Sequence, residues 1–184
     1  MRALAYHDLL TGLSNRRQAL DELNMLAGNE SEAGIVLLHL DEFKMVNDRY
    51  GHDIGDRVLI KVAEVLRSVD SRLASRWSGE GFLLIFEGGQ AAAVAAAEQL
   101  RQRLAAAEFP DGIRLTASFG VSFLAPGAAV SDVLRLADGR STRRRTTAGT
   151  WHGNSMLSSS RDARAARKLS LCRPLTRRLI PARD

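Results

Sequence analysis

The chain has 184 residues, 45% of them hydrophobic and 26% charged, with 15 Gly, 4 Pro and 1 Cys. That composition suits one globular domain with a real core, and it excludes collagen-like, low-complexity and disulfide-scaffold classes. The net charge of +5 hides an asymmetry: residues 140–184 carry 12 Lys and Arg against 2 Asp, which leaves 14 basic and 19 acidic residues in 1–139. No run of about 18 apolar residues is present, so no membrane-spanning helix is expected. The first residues lack the apolar stretch of a signal peptide. A single cysteine, Cys172, forms no internal disulfide, so the expected location is a reducing cytoplasm.

Residues 1–139 alternate between helix and strand patterns. From Asn15 to Leu26, the spacing of Leu20, Leu23 and Leu26 predicts an amphipathic helix. Gly34 to Leu40 is a short apolar run, read as a buried strand. Asp56 to Val69 places Val58, Leu59, Val62, Val65 and Leu66 on one helical face. Leu73–Trp77 and Phe82–Phe86 flank Ser78-Gly79-Glu80-Gly81, the pattern of a β-hairpin. Gln90 to Ala107 is an Ala-rich helix, closed by Pro110-Asp111-Gly112. Ile113 to Phe123 alternates as a strand, and Ser131 is read as the N-cap of a last helix. A hairpin set among helical crossovers predicts an α+β fold: a mixed central sheet flanked by helices. After Asp138 the periodicity ends, and the Arg- and Ser-rich stretch to Asp184 is expected to be disordered.

Polar groups crowd the stretch from Leu40 to Asp56, directly after a buried strand. Carboxylates at a strand end can hold a divalent cation, and a nearby Lys44 can meet phosphate. Asn47 and Asp56 lie nine residues apart across a turn, and an amide with a carboxylate can read a guanine edge. Helix capping and solvated charge account for the same residues at this point.

Taken together, the segments resemble the GGDEF domain of bacterial diguanylate cyclases, which condense two GTP into cyclic di-GMP. Asp8-Leu9-Leu10-Thr11-Gly12-Leu13-Ser14-Asn15-Arg16-Arg17 matches the family's opening motif. Phe43-Lys44 with Asn47-Asp48, and Tyr50-Gly51-His52 with Gly55-Asp56, match a second motif. Ser78-Gly79-Glu80-Gly81-Phe82 matches the signature hairpin, and Thr116 to Val121 a later strand. Leu136-Ala137-Asp138 matches the start of the closing helix. The resemblance implies the GGDEF fold, with Asn47 and Asp56 as the guanine pair. It implies Lys44, the backbone around Glu42 and Phe43, and Gly79 as substrate contacts, with Gly79 allowing close backbone approach. Glu80 is implied as the catalytic residue and, with the backbone of Leu40, as the ligand of Mg²⁺. GTP is the implied partner, with a homodimer formed through the nucleotide site; no nucleic acid and no membrane span are expected.

Three departures bear on activity. His39 stands where the family has the first Asp of Asp-x-Asp, and imidazole is a poor Mg²⁺ ligand. Gly81 replaces the signature's second carboxylate, while Ser78 for Gly keeps the turn. A two-metal phosphoryl-transfer site needs carboxylates to hold its ions. The expected function is therefore a degenerate, GTP-binding signalling domain with weak or no turnover; the alternatives are an active cyclase and a basic-tailed binder of nucleic acid or membrane surfaces. Arg67 and Asp70 mimic a product-inhibition motif in the wrong register and are read as surface charges.

The family's ending reappears in another frame. Codons permitted by Arg140 to Asn154, read from the last base of the Gly139 codon, spell ALYEAKNNGRNLAR. This predicts a base lost at the Asp138–Gly139 junction, a domain over 1–139 without its closing helix and strand, and an out-of-frame tail over 140–184.

Overall fold

The computed structural model describes residues 6–138. Five strands and five helices alternate in the order β1 (Ser14–Asn15), α1 (Arg16–Gly28), β2 (Ala33–Leu40), α2 (Phe43–Tyr50), α3 (His52–Arg67), β3 (Leu73–Arg76), β4 (Gly81–Glu87), α4 (Gln90–Ala106), β5 (Ala117–Leu124) and α5 (Val130–Asp138). One sheet runs β1-β3-β4-β2-β5. The β1–β3 pair is parallel and the other three pairs are antiparallel, so the sheet is mixed, as expected for the α+β class.

The apolar runs of β2 and β4 have no polar alternation because both sheet faces are covered. Val36, Leu38, Phe82 and Leu84 join Phe43, Val58, Leu66 and Leu100 in a core under α2, α3 and α4. Ile35, Leu37, Leu83 and Ile85 join Ala19, Leu23, Val133 and Ala137 under α1 and α5. Each large side chain fully buried contributes about 1.5–3 kcal/mol. Small residues set how closely two helices approach. A Cβ on Gly34 would lie 2.7 Å from the Ala93 Cβ of α4, and one on Gly120 would overlap the Ala137 carbonyl of α5. The Ala-rich sequence of α4 is thus a close-packing surface.

The structure differs from the sequence reading in four places. Phe43–Tyr50, a polar stretch to which the sequence reading gave no element, is the helix α2, and α3 begins at His52 rather than Asp56. Met45 and Lys44 are exposed while Phe43 and Val46 are buried, a one-turn apolar stripe too short to stand out in the sequence. The last strand begins at Ala117 instead of Ile113, because Pro110–Gly112 forms a 3-10 turn and Ile113 follows it into the core. Helix α5 begins at Val130, so Ser131 lies inside its first turn rather than capping it. Ser14–Asn15 adds a two-residue strand whose pairing with β3 carries no signal in so short a segment. The hairpin is where it was expected, with the Trp77 and Ser78 amides both donating to the Gly81 carbonyl at 2.8 and 3.1 Å. The tail over 140–184 and the expected loss of the closing helix and strand fall outside the described residues. Among the described residues, no helix is long and apolar enough to cross a membrane.

Candidate functional site

The α2–α3 corner brings Asn47 and Asp56 to neighbouring positions. Gly51 joins the two helices at φ +86°, a left-handed conformation that favours glycine. Gly55 is buried in the first turns of α3, and a Cβ there would overlap Asn47 Oδ1 and sit 3.1 Å from its Cγ. The Asn47 amide therefore rests on the bare backbone immediately before Asp56, whose carboxylate is exposed. Lys44 is exposed on the first turn of α2. The Phe43 ring is only 6% exposed and belongs to the core, which leaves its backbone, the contact that the resemblance implies, to face a ligand. Glu42 precedes it at φ +54°, and no side chain caps the start of α2. The first amides of that helix are thus left to solvent or to an anion.

A second set of residues gathers where β2 ends against the hairpin. A cavity of about 410 Å³ is lined by Arg16, His39, Trp77, Gly79, Glu80 and Asp138, among others. The Arg16 guanidinium lies 4.7 Å from the Trp77 ring centroid. The Leu40 amide donates to the Glu80 carbonyl at 3.1 Å, which holds the hairpin tip beside the strand end. Gly79 lies open at the hairpin tip: a Cβ there would meet no atom within 4 Å. Its carbonyl accepts from Arg76 Nη2 at 2.9 Å and Nε at 3.2 Å.

Three groups that the sequence reading passed over hold this site in shape. Arg76 also pairs with Asp8 at 3.2 Å, and Asp8 accepts from the Thr11 amide and hydroxyl at 2.9 and 2.7 Å. The opening motif is thus a clamp on the signature hairpin. Burial pushes the Asp8 carboxyl up, but the Thr11 hydrogen bonds and the Arg76 guanidinium together hold it below the usual aspartate range. Asp41 accepts from Thr116 Oγ1 at 2.9 Å and Ser118 Oγ at 2.6 Å, and so ties the β2–α2 connection to β5. Gly55 supplies the space that Asn47 fills. The signal for the first two was that Asp8, Arg76, Asp41, Thr116 and Ser118 all fall inside or beside the motif segments. Arg67 is, as read, an exposed charge at the end of α3, and its guanidinium also donates to the Thr11 carbonyl, which fastens that helix end to the opening turn.

The donors at the strand end do not fit Mg²⁺. His39 replaces a carboxylate, each Asp41 oxygen accepts from a hydroxyl of β5 or its approach, and Glu80 alone of the expected set supplies a side-chain oxygen to the cavity. Among the described residues, no group of three or more His, Cys, Asp or Glu side chains gathers to hold an ion.

The family model described as diguanylate cyclase, GGDEF domain, matches residues 5–149. The chain belongs to the GGDEF diguanylate cyclase family. The match runs eleven residues past Asp138, where the motif reading ended. This GGDEF chain is 35% identical over 150 residues to the response regulator PleD of Caulobacter vibrioides, covering 73% of this chain and 33% of PleD. It is 32% identical over 142 residues to the diguanylate cyclase DgcM of Escherichia coli K12, covering 73% of this chain and 34% of DgcM. It thus spans about a third of the length of these curated relatives. Among solved structures, it is similar to the diguanylate cyclase SiaD of Pseudomonas aeruginosa, determined with its activator SiaC, at TM-score 0.68 and 34% identity over 72% of this chain and 55% of that one. It is also similar to the coiled coil and GGDEF domain of DgcB from Caulobacter crescentus, in complex with c-di-GMP, at TM-score 0.68 and 28% identity over 75% of this chain and 79% of that one.

Proposed function

We propose that this domain is a degenerate member of its family that binds GTP and converts little or none of it to cyclic di-GMP. The observation that carries the binding half is the Asn47 amide seated on Gly55 beside the exposed Asp56. An amide and a carboxylate held at that corner match the hydrogen-bonding edge of guanine, which offers both an acceptor oxygen and donor nitrogens. Lys44 and the uncapped start of α2 lie on the same short helix as Asn47 and suit the triphosphate. The turnover half rests on the other end. Phosphoryl transfer between two nucleotides needs oxygen ligands to neutralise developing charge, and His39 and Gly81 stand in two of those positions. When bound, a metal ion would supply that neutralisation; Glu80 is the residue of this chain able to share in it. A homodimer through the nucleotide site belongs to the same proposal, since one domain holds one GTP.

Calorimetry with GTP and ATP tests the binding half. GTP is expected to bind more tightly, and Asp56→Ala to remove the preference. Equal affinities for the two nucleotides in the unaltered chain would overturn it. Chromatography of an incubation with GTP tests the other half: cyclic di-GMP is expected near background even at high Mg²⁺.

A further inference from the structure

The β1–β3 pairing sets Asn15 beside Arg76 and so carries Arg16, the first residue of α1, beside Trp77. The Arg16 guanidinium stands 4.7 Å from the indole centroid, and both residues line the cavity with His39 and Glu80. Other arginines around the hairpin are engaged: Arg76 holds Asp8 and the Gly79 carbonyl, and Arg72 holds Glu22 and Glu87. Among the described residues, no carboxylate or carbonyl accepts a hydrogen bond from the Arg16 guanidinium. Stacking covers the face of that group and leaves its rim of N–H donors free. The indole thus orders the guanidinium without using its donors, which lowers the ordering cost for a ligand that takes them. His39 and Gly81 face each other across β2 and β4. A Cβ on Gly81 would stand 2.9 Å from His39 Cε1, so the imidazole fills the room of the missing side chain. Relative to the family pattern, this end of the sheet has lost two negative charges. That loss removes ligands for a metal ion and also lowers the repulsion toward an anion.

We infer that Arg16 is a phosphate-binding residue and that Trp77 is its positioning residue: the cavity takes the polyphosphate of a nucleotide on a guanidinium fork rather than through a metal ion. A planar fork meets two oxygens of one phosphate with short, charge-assisted bonds. A cavity of about 410 Å³ has room for a chain of phosphates. The Glu80 carboxylate shares the wall, where it opposes a bare anion but would favour a bridging metal. The two modes of binding therefore respond in opposite directions when that charge is removed. The inference rests on reading this end as the phosphate end of the nucleotide site. Its test uses inorganic tripolyphosphate and guanosine separately, so a failure of the guanine reading and a failure of this inference are distinguishable.

Tripolyphosphate in metal-free buffer is titrated into the full chain by calorimetry, while the Arg16 Nε–H resonance is followed by NMR. That resonance is expected to move on binding. Arg16→Ala is expected to weaken tripolyphosphate by at least about tenfold, through the loss of charge-assisted bonds. Arg16→Lys keeps the charge without the fork and is expected to recover only part of that loss. Trp77→Leu is expected to weaken binding by a smaller factor, because it frees Arg16 without removing it. Glu80→Gln is expected to tighten binding. Guanosine is expected to bind the Arg16→Ala variant as it binds the unaltered chain. Tripolyphosphate held through Arg16 in a chain that does not bind guanosine would support this inference and count against the guanine reading. An affinity unchanged in Arg16→Ala would put the anion on Lys44 or the basic tail and overturn the inference. So would an unmoved Arg16 resonance, or weaker binding in Glu80→Gln. The resonance decides the matter even where a variant fails to fold.

Discussion

The Asn47 side chain and the Gly55 backbone are in contact in a way that separates binding from stability. Replacing Gly by Ala inside a helix ordinarily stabilises it by about 0.5–1 kcal/mol, because the unfolded chain loses freedom. At Gly55 the new Cβ would overlap Asn47 Oδ1, the far end of a flexible side chain that can turn away. Gly55→Ala is therefore expected to leave the melting temperature level or slightly higher. It is also expected to weaken GTP about tenfold, or about 1.4 kcal/mol, by calorimetry. A variant that lost stability and kept GTP selectivity would contradict the placement of Asn47. Asp8 makes a prediction in pH. A carboxylate whose folded pKa is depressed adds stability above its ordinary value of 3.8, and that stability is lost as pH falls through the lower folded value. Asp8→Asn is expected to cost about 1.5–3 kcal/mol at neutral pH, the worth of a hydrogen bond to a charged group. The gap between variant and unaltered chain, read from denaturant midpoints, should close as pH drops below the ordinary aspartate range.

At the scale of elements, glycines decide how two helices dock on the sheet. Helix α5 lies so close to β5 that its Ala137 carbonyl occupies the place of a Cβ on Gly120. Backbone cannot swing aside as a side chain does, so Gly120→Ala forces the whole helix outward. The expected cost is about 1–3 kcal/mol in urea denaturation, as for other overpacked sites. Because α5 carries Val133 and Ala137 into the core beside α1, the loss should be cooperative rather than confined to a frayed end. The link from β2 to α2 depends on Asp41 in a comparable way. Asp41→Ala releases Thr116 and Ser118, and with them the anchor of the Glu42 turn at the start of α2. GTP affinity is expected to fall while the core, and hence the cooperative unfolding transition, persists.

For the molecule as a whole, the proposed loss of turnover calls for more than one repair. His39→Asp together with Gly81→Glu returns both carboxylates, and the pair must change together because a side chain at 81 collides with the imidazole. Cyclic di-GMP is expected only when the ending ALYEAKNNGRNLAR also replaces residues 140–184, since on the frameshift reading that ending restores the closing helix and strand. That replacement alone should raise the melting temperature, as its Leu and Tyr add apolar burial worth roughly 1.5–3 kcal/mol each. The gene provides the direct check on the frame. Codons across Asp138 that cannot be read as that ending would end the frameshift account.

The sequence by itself determined the class of fold, the hairpin and the family. Those properties are written in local signals: apolar runs long enough for buried strands, helical spacing in α1, α3 and α4, a glycine-containing turn, and motif residues at set distances. It also marked His39 and Gly81 as departures, since each is a residue type in a slot. Only the tertiary structure decided that these two are neighbours, because strand register is set by packing over the whole sheet and not by the residues of either strand. The same holds for α2, whose single apolar turn is too short to announce a helix until α3 packs on it. It holds for Asp8 and Arg76, 68 residues apart in the chain and joined at 3.2 Å. Periodicity reports which face a residue takes within its own element; which distant charge or glycine it meets there is settled when the elements pack.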